Sequence, residues 1–366
     1  MFPGSKTHRI RRSLFRWYDQ TRRDLPWRHT CDPYAIWIAE TMLQQTQVKT
    51  VLPYYRRFLG AFPTLKSLDR APKEKVLALW SGLGYYRRAE NLKKAARILA
   101  SKYGGKLPRD YEALLRLPGV GSYTAGALMS IAFKQRYPAL DGNAKRVISR
   151  LLNLMTEGKV SEGAWQLVPR SRPGHFNQAL MELGSGICHP KNPNCPQCPL
   201  SKYCVTKTLG GSFLQLRPKP HKADNVEWPM VIIQKDGKIL LHRRSQGGLL
   251  RGLWEIPGGK REGKEKVQAT VNRHLMGLGI KAFRILKIGE IHHSITRYKI
   301  RSPLFVFADA KSPRSPESSW RWVSIASLNR YPLSSLSLKA VRLFTDLREA
   351  PNRVDRPLPL SNASAA

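Results

Sequence analysis

Four cysteines, Cys188, Cys195, Cys198 and Cys204, follow one another with the spacing Cys-x6-Cys-x2-Cys-x5-Cys. Four thiolates confined to one short loop can hold a cubane [4Fe–4S] cluster, and such a group dictates the path of the backbone around it. Zinc is the alternative, although zinc modules usually pair two Cys-x2-Cys knuckles and only one is present here. Disulfides fit poorly, because no secretory signal is seen and Cys31 is left over. A reducing, cytoplasmic setting is therefore expected.

Charge narrows the partner. Lys and Arg number 63 against 25 Asp and Glu, a net charge of +38. An excess of this size calls for a polyanion. A basic ribosomal-type protein would also carry it, but such chains are usually shorter and poorer in tryptophan. The 366 residues, 42% of them apolar, suffice for two or three domains with real cores. No run of about 18 apolar residues exists, so no membrane span is expected.

The texture changes along the chain. Residues from about 6 to 187 read as helices. Asp32-Pro33 caps one that carries Ile36, Glu40 and Leu43 on one face. Another spans about 73–80 and stops at Ser81-Gly82-Leu83-Gly84. A third runs from about Arg87 to Tyr103 and stops at Gly104-Gly105. Beyond Cys204, residues 206–226 are rich in Gly, Lys and Pro and read as a linker. β-type runs follow at Met230–Ile233, Ile239–His242 and Leu304–Phe307, with a helix expected over 264–277. The expected division is 1–205 helical, 206–226 linker, 227–345 α+β, and 346–366 a loose tail.

Two glycines in Leu117-Pro118-Gly119-Val120-Gly121 join two expected helices. Gly119 and Gly121 let backbone N–H groups approach a ligand, and the next helix adds its positive dipole end. A DNA phosphate suits such a turn, which reads backbone rather than sequence. Many helix pairs share Pro-Gly turns; with this charge and the cysteine loop the DNA reading is the better one.

Two carboxylates stand out. Asp141, in Asp141-Gly142-Asn143-Ala144-Lys145-Arg146, has the simple explanation of a helix cap. Beside bound DNA it could also stabilise a cationic sugar. Glu40 lies on the apolar side of its helix. It is either a buried glutamate paired with an arginine or a carboxyl with a raised pKa, able to donate a proton at neutral pH. The run Gln44-Gln45-Thr46-Gln47 that follows supplies amides suited to base edges in an opened duplex.

Together these segments resemble the MutY family of adenine DNA glycosylases, in the superfamily of endonuclease III. The resemblance runs in order through Leu25-Pro26-Trp27-Arg28, Glu40 to Val48, Gly82 to Ala89, Leu117 to Gly126, Asp141-Gly142-Asn143, Phe176 to Gly184 and the four cysteines. It implies a mainly α N-terminal half, a helix-hairpin-helix glycosylase with an iron–sulfur cluster loop, and an α+β Nudix-like C-terminal domain. It implies that Glu40 protonates adenine at N7 and that Asp141 supports the oxocarbenium-like sugar, with Tyr123 and Asn143 around them. Arg23, Trp27, Leu43, Val48 and Glu182 match the adenine pocket. Gln45 and Tyr85 match residues that wedge into the base stack. Gln44, Thr46, Leu83, Arg87, Gly119, Gly121, Lys145, Thr296 and Arg297 complete the expected DNA contacts. Where lyase relatives carry a lysine nucleophile this chain has Tyr123, which cannot form a Schiff base. Base removal without efficient nicking is expected, on double-stranded DNA holding adenine opposite 8-oxoguanine or guanine, by a monomer associated with the nucleoid.

The second half departs from its relatives in two places. Gly259, Glu265 and Arg273 fit the start of a Nudix helix, but His274, Gly277 and Leu278 stand where a hydrolase needs glutamates for magnesium. A binding module is expected rather than a pyrophosphatase. The family's Phe-Ser-His recognition loop is replaced by Ile295-Thr296-Arg297 after His293-Ser294. A glycosylase of another base specificity, a lyase, and a non-enzymatic mismatch binder are the rivals.

Overall fold

The computed structural model describes residues 4–210, 223–244, 251–277, 279–280, 285–295, 297–308 and 319–349. The chain forms two compact units: Met1–Ala71 with Arg87–Lys219, and Pro72–Tyr86 with Pro220–Ala366.

The first unit is built from helices: α1 (Gly4–Thr21), α2 (Pro33–Leu43), α3 (Val48–Ala61) and α4 (Leu65–Arg70) before the break. Helix α5 (Lys73–Trp80) belongs to the other unit. The first unit resumes with α6 (Arg87–Lys102), α7 (Tyr111–Leu115), α8 (Ser122–Ala127), α9 (Gly142–Leu152), α10 (Glu157–Leu167), α11 (Pro173–Gly186) and α12 (Val205–Thr208). The Asp32 carboxylate accepts from the N–H groups of Tyr34 and Ala35, and Pro33 opens α2, as the sequence predicts. Every residue of α2 from Tyr34 to Met42 is buried. It is a central helix, apolar all round except for Glu40 and Thr41. A second core joins Ile10, Leu14 and Tyr18 of α1 to Val147, Ile148 and Leu151 of α9 and Phe176, Leu180 and Leu183 of α11. Helix α11 comes so close to α9 that a Cβ on Gly184 would lie 2.9 Å from the Asn143 carbonyl oxygen. Only glycine fits there.

The second unit is α+β. Its strands are β1 (Asp224–Glu227), β2 (Met230–Lys235), β3 (Lys238–Arg243), β4 (Trp254–Glu255), β5 (Leu286–Ile295), β6 (Tyr298–Ala308) and β7 (Trp320–Ser324). The sheet runs β1-β6-β2-β3-β4, with β5 on β6 and β7 on β3. Helices α13 (Val267–Gly277) and α14 (Ser335–Glu349) complete it. The run Met230-Val231-Ile232-Ile233 is apolar at every position because both faces of β2 are covered. Met230 and Ile232 pack with Leu336, Ala340 and Phe344 of α14, whereas Val231 and Ile233 pack with Val271 and Leu275 of α13. Helix α13 starts at Val267 rather than 264. The Glu265 carboxylate turns back to accept from the Glu262 N–H and pairs with Arg273, which holds that stretch as a turn.

Nothing in the sequence marks the excursion Pro72–Tyr86 as part of this unit. Ser81 Oγ donates to the Leu333 carbonyl (2.9 Å) and accepts from the Leu333 N–H (3.1 Å). The Tyr86 hydroxyl donates to the same carbonyl, and Glu74 pairs with Arg243 at 3.0 Å. The expected tail, 346–366, has Asp346–Glu349 inside α14; its remainder lies outside the described residues.

Candidate active site

Helices α2, α8 and α9 bring three of the sequence-derived residues together. The Tyr123 hydroxyl, on α8, donates to Glu40 Oε2 on α2. Glu40 is 4% exposed, in the middle of the apolar helix. Burial pushes its carboxyl up to about 7; the Tyr123 hydrogen bond opposes this, and the charge of Asp141 adds to it. Tyr123 is itself held well above the usual phenol value by burial and by the two carboxylates. Asp141 caps α9, accepting from the Ala144 N–H (2.7 Å) and from Asn143 Nδ2 (3.0 Å). Burial raises its pKa, while those two hydrogen bonds lower it. The capping role and the proximity to Glu40 thus coexist in one side chain. The site holds one carboxyl poised near neutrality and a second, hydrogen-bonded one within its field.

A polar chain runs from Asp141 to the cysteine loop. Asn143 Oδ1 accepts from Arg146 Nη2 at 2.8 Å, and Arg146 Nε donates to the Cys188 carbonyl at 2.8 Å. Arg150, 2% exposed, donates to Cys188 Sγ (3.3 Å) and to the carbonyls of His189 and Pro190 (both 2.7 Å). Cys198 is raised to about 11 by burial first and then by the neighbouring Cys188, Cys204 and Cys195. Cys188, Cys195 and Cys204 thus lie within the field of Cys198, and a buried guanidinium donates to the Cys188 sulfur. Among the described residues no group of three or more His, Cys, Asp or Glu closes to single-ion distances. A cation donating to sulfur suits the anionic ligand set of a cubane. The residues present fit the cluster.

Glu182, on α11, accepts from Arg23 Nε and Arg28 Nη2, both at 2.6 Å. Burial opposes its ionisation, but these hydrogen bonds hold it below the usual carboxylate range. Arg28 is the partner that sequence reasoning misses, although it lies in the Leu-Pro-Trp-Arg run. Trp27 is buried edge-on to Tyr55, and Leu43 and Val48 are half-buried.

The expected DNA contacts divide. Gly119 adopts φ +81°, and Gly121 caps α8, as a hairpin between α7 and α8 requires. Gln45 is exposed with a left-handed backbone (φ +57°). Gln44 instead turns its amide onto Thr124 Oγ1 (3.1 Å), and Thr46 is half-buried. Lys145 is paired with Glu157 at 2.8 Å, and Arg87 is exposed. In the second unit Leu83 is 5% exposed, which places its side chain in the core, while Tyr85 is 48% exposed with φ +49°. Strands β5 and β6 form a hairpin whose last pair is Ile295 with Tyr298. Arg297, at its tip, pairs with Asp224 at 2.9 Å, and Thr296 lies outside the described residues. At the Nudix-type turn the His274 ring packs over Gly259, where a Cβ would lie 2.1 Å from it. Leu278 lies outside the described residues.

A helical unit with a glycine hairpin, buried carboxylates and a four-cysteine loop defines a base-excision DNA repair class. Residues 38–170 match the family model described as HhH-GPD superfamily base excision DNA repair protein, and residues 229–343 match the NUDIX domain. The adenine DNA glycosylase of Mus musculus is 35% identical over 405 residues, covering 93% of this chain and 78% of that one. That of Buchnera aphidicola subsp. Acyrthosiphon pisum is 41% identical over 254 residues, covering 67% and 72%. The chain belongs to the adenine DNA glycosylase family. Among solved structures, a thermostable thymine-DNA glycosylase superposes with TM-score 0.53 at 34% identity, covering 56% of this chain and 98% of that one. Endonuclease III trapped on DNA superposes with TM-score 0.50 at 24% identity, covering 57% and 99%; it shares the fold. No helix among the described residues is long and apolar enough to cross a membrane.

Proposed function

We propose that this chain is a monofunctional glycosylase that excises adenine opposite 8-oxoguanine or guanine in duplex DNA and leaves an abasic site. The observation that carries the reading is the buried Glu40 carboxyl, bonded to Tyr123 and within the field of Asp141. The target nucleotide must leave the stack, because its N7 and glycosidic bond are unreachable inside the duplex. Glu40, half-protonated near neutral pH, donates its proton to N7 and turns adenine into a leaving group. Asp141, whose ionised form accepts hydrogen bonds from Ala144 and Asn143, supports the positive charge that develops on the sugar, in the manner of two-carboxylate glycosidases. Water, activated by the newly ionised Glu40, completes hydrolysis. Tyr123 orients Glu40 and provides no amine for strand cleavage.

Arg23, Trp27, Leu43, Val48 and Glu182 line the adenine pocket in this reading, with Glu182 fixed by Arg28. The DNA contacts are Gln45, Thr46, Tyr85, Arg87, Gly119, Gly121, Lys145, Thr296 and Arg297; the Gln44 amide is engaged by Thr124 and Leu83 is buried, so neither is counted among them. Cys188, Cys195, Cys198 and Cys204 hold a [4Fe–4S] cluster, which when bound orders the loop carrying Lys191 and Lys202 toward DNA. The division is a glycosylase domain (1–205, apart from the Pro72–Tyr86 excursion), a linker (206–226, with parts of α12 and β1 at its two ends) and a Nudix-like domain (227–345) that binds the base opposite the adenine. The enzyme acts as a monomer in the compartment that holds the chromosome.

Single-turnover incubation with duplexes bearing adenine opposite 8-oxoguanine, guanine or thymine, and thymine opposite guanine, tests this. Alkali-dependent strand breaks confined to adenine opposite 8-oxoguanine and guanine are expected. Release of thymine, or breaks without alkali, would overturn it.

A further inference from the structure

One side chain that the function above leaves unused makes several of the bonds that hold the turn following α2. Arg88, on the first turn of α6, directs one guanidinium nitrogen, Nη1, to the carbonyls of Thr41 (3.0 Å), Met42 (2.7 Å) and Gln44 (2.6 Å). Its other terminal nitrogen, Nη2, donates to Thr46 Oγ1 at 3.1 Å. The first two carbonyls belong to the last turn of α2, where no intrahelical N–H remains for them and a cation is favoured. The other two acceptors lie beyond the helix and flank Gln45 on either side.

Gln45 is the residue of this turn that is both exposed and left-handed, at φ +57°. A non-glycine residue stays in that region only when its surroundings over-determine it. Here the surroundings are Arg88 on both flanks and the Gln44 amide anchored on Thr124 of α8. A flexible turn would relax, and its long side chain would lose the fixed direction needed to enter a base stack.

We infer that Arg88 is a positioning residue whose forked guanidinium clamps the Gln44–Gln47 turn so that Gln45 is presented as a rigid prong for opening the base pair. The inference rests on the glycosylase reading, which supplies a pair to open. It requires the fork and not merely the charge: a lysine ammonium is a single point with three donors and cannot span carbonyls on one side and a hydroxyl on the other.

The test uses the full chain with its cluster and the variants Arg88→Lys and Arg88→Ala. A 2-aminopurine placed beside the mispaired adenine reports unstacking by its fluorescence. Excision is measured on the paired duplex and on DNA whose adenine lies opposite a one-nucleotide gap, where no pair must be opened. Both variants are expected to lose the fluorescence rise. Excision from the paired duplex should fall roughly tenfold to a hundredfold, the loss of one or two charge-assisted hydrogen bonds, and excision from the gapped DNA by less than about threefold. Equal losses on both DNAs would overturn the inference, since Arg88 would then act through α2 and Glu40. So would a Lys variant that retains the fluorescence rise. If Arg88→Ala unfolds, Thr46→Val removes one anchor alone, and a partial loss confined to the paired duplex is expected; wild-type behaviour would count against the clamp. Wild-type protein that raises the fluorescence yet releases no adenine from either DNA would sink the glycosylase reading and leave the clamp standing.

Discussion

The two units treat charge in opposite ways. In the helical unit the ionisable groups that matter are buried: Glu40 and Glu182 are 4% and 6% exposed, and Arg150 is 2% exposed. In the sheet unit most pairs reach the surface, as do Glu265 with Arg273, Arg297 with Asp224 and Arg301 with Glu290, while Glu255, beside Arg244 and His242, is the buried exception. Buried charges lack solvent to screen them, so each must be matched by a designated partner, and its pKa becomes adjustable. Exposed pairs are screened and interchangeable. The first environment suits a fixed chemical step. The second suits adaptation of what is recognised.

The sharpest way to break this contrast is to neutralise the buried acid. Glu40→Gln should bind mismatched DNA and yet lose roughly a thousandfold in single-turnover excision, the range for removing a general acid. Unimpaired turnover would remove the buried group from the chemistry. Asp141→Asn should be similarly crippled while its circular dichroism melt stays close to wild type, because asparagine caps a helix about as well as aspartate.

Next in size is the Arg28–Glu182 pair. Arg28→Met leaves the buried Glu182 carboxylate with Arg23 as its cationic partner and should destabilise the protein by about 1.5–3 kcal/mol in denaturant titration, the loss of one charged hydrogen bond. Loss of Arg273 should leave the same titration unmoved, since Glu265 stays in water. A matched loss at both positions would erase the contrast.

The pH dependence comes third. Folding raises the Glu40 carboxyl from its ordinary 4.5 to about 7. The protonated form is the one the fold favours, so its contribution is whole below the unfolded pKa and fades as pH climbs through 7. Between pH 4.5 and 8 wild type should lose roughly 3 kcal/mol relative to Glu40→Gln, read as a difference in melting temperature. The excision rate should decline over the upper part of that window as the acid ionises. The smallest effect belongs to the surface: Arg297→Ala should weaken DNA binding slightly in a gel-shift titration, and the deficit should shrink as salt is added.

Much of the helical unit is readable because its signals are local. A capping Asp32 with Pro33, paired glycines at 119 and 121 and a cysteine spacing each declare themselves within a few residues. On sequence alone Glu40 leans slightly toward a structural role, since its burial and its bond to a hydroxyl 83 residues away leave no local trace. Arg28 with Glu182, 154 residues apart, and Ser81 with Leu333, 252 apart, carry no periodic or compositional trace. Leu83 and Gln44 read outward because the sequence resemblance places them among expected DNA contacts; packing turns the one inward and a threonine claims the other. The four-residue apolar run at 230–233 needs no alternation because two helices bury it from both sides.

The excursion at Pro72–Tyr86 means that the sheet unit is discontinuous in the chain. A ribosome makes this segment early and the strands it joins last, so α5 must wait through more than half of synthesis for Leu333 to emerge. A fragment starting at residue 223 would begin life with that carbonyl uncovered. Conversely, severing the backbone between residues 210 and 223 would leave the Ser81 and Tyr86 hydroxyls on one polypeptide and the Leu333 carbonyl they bind on the other.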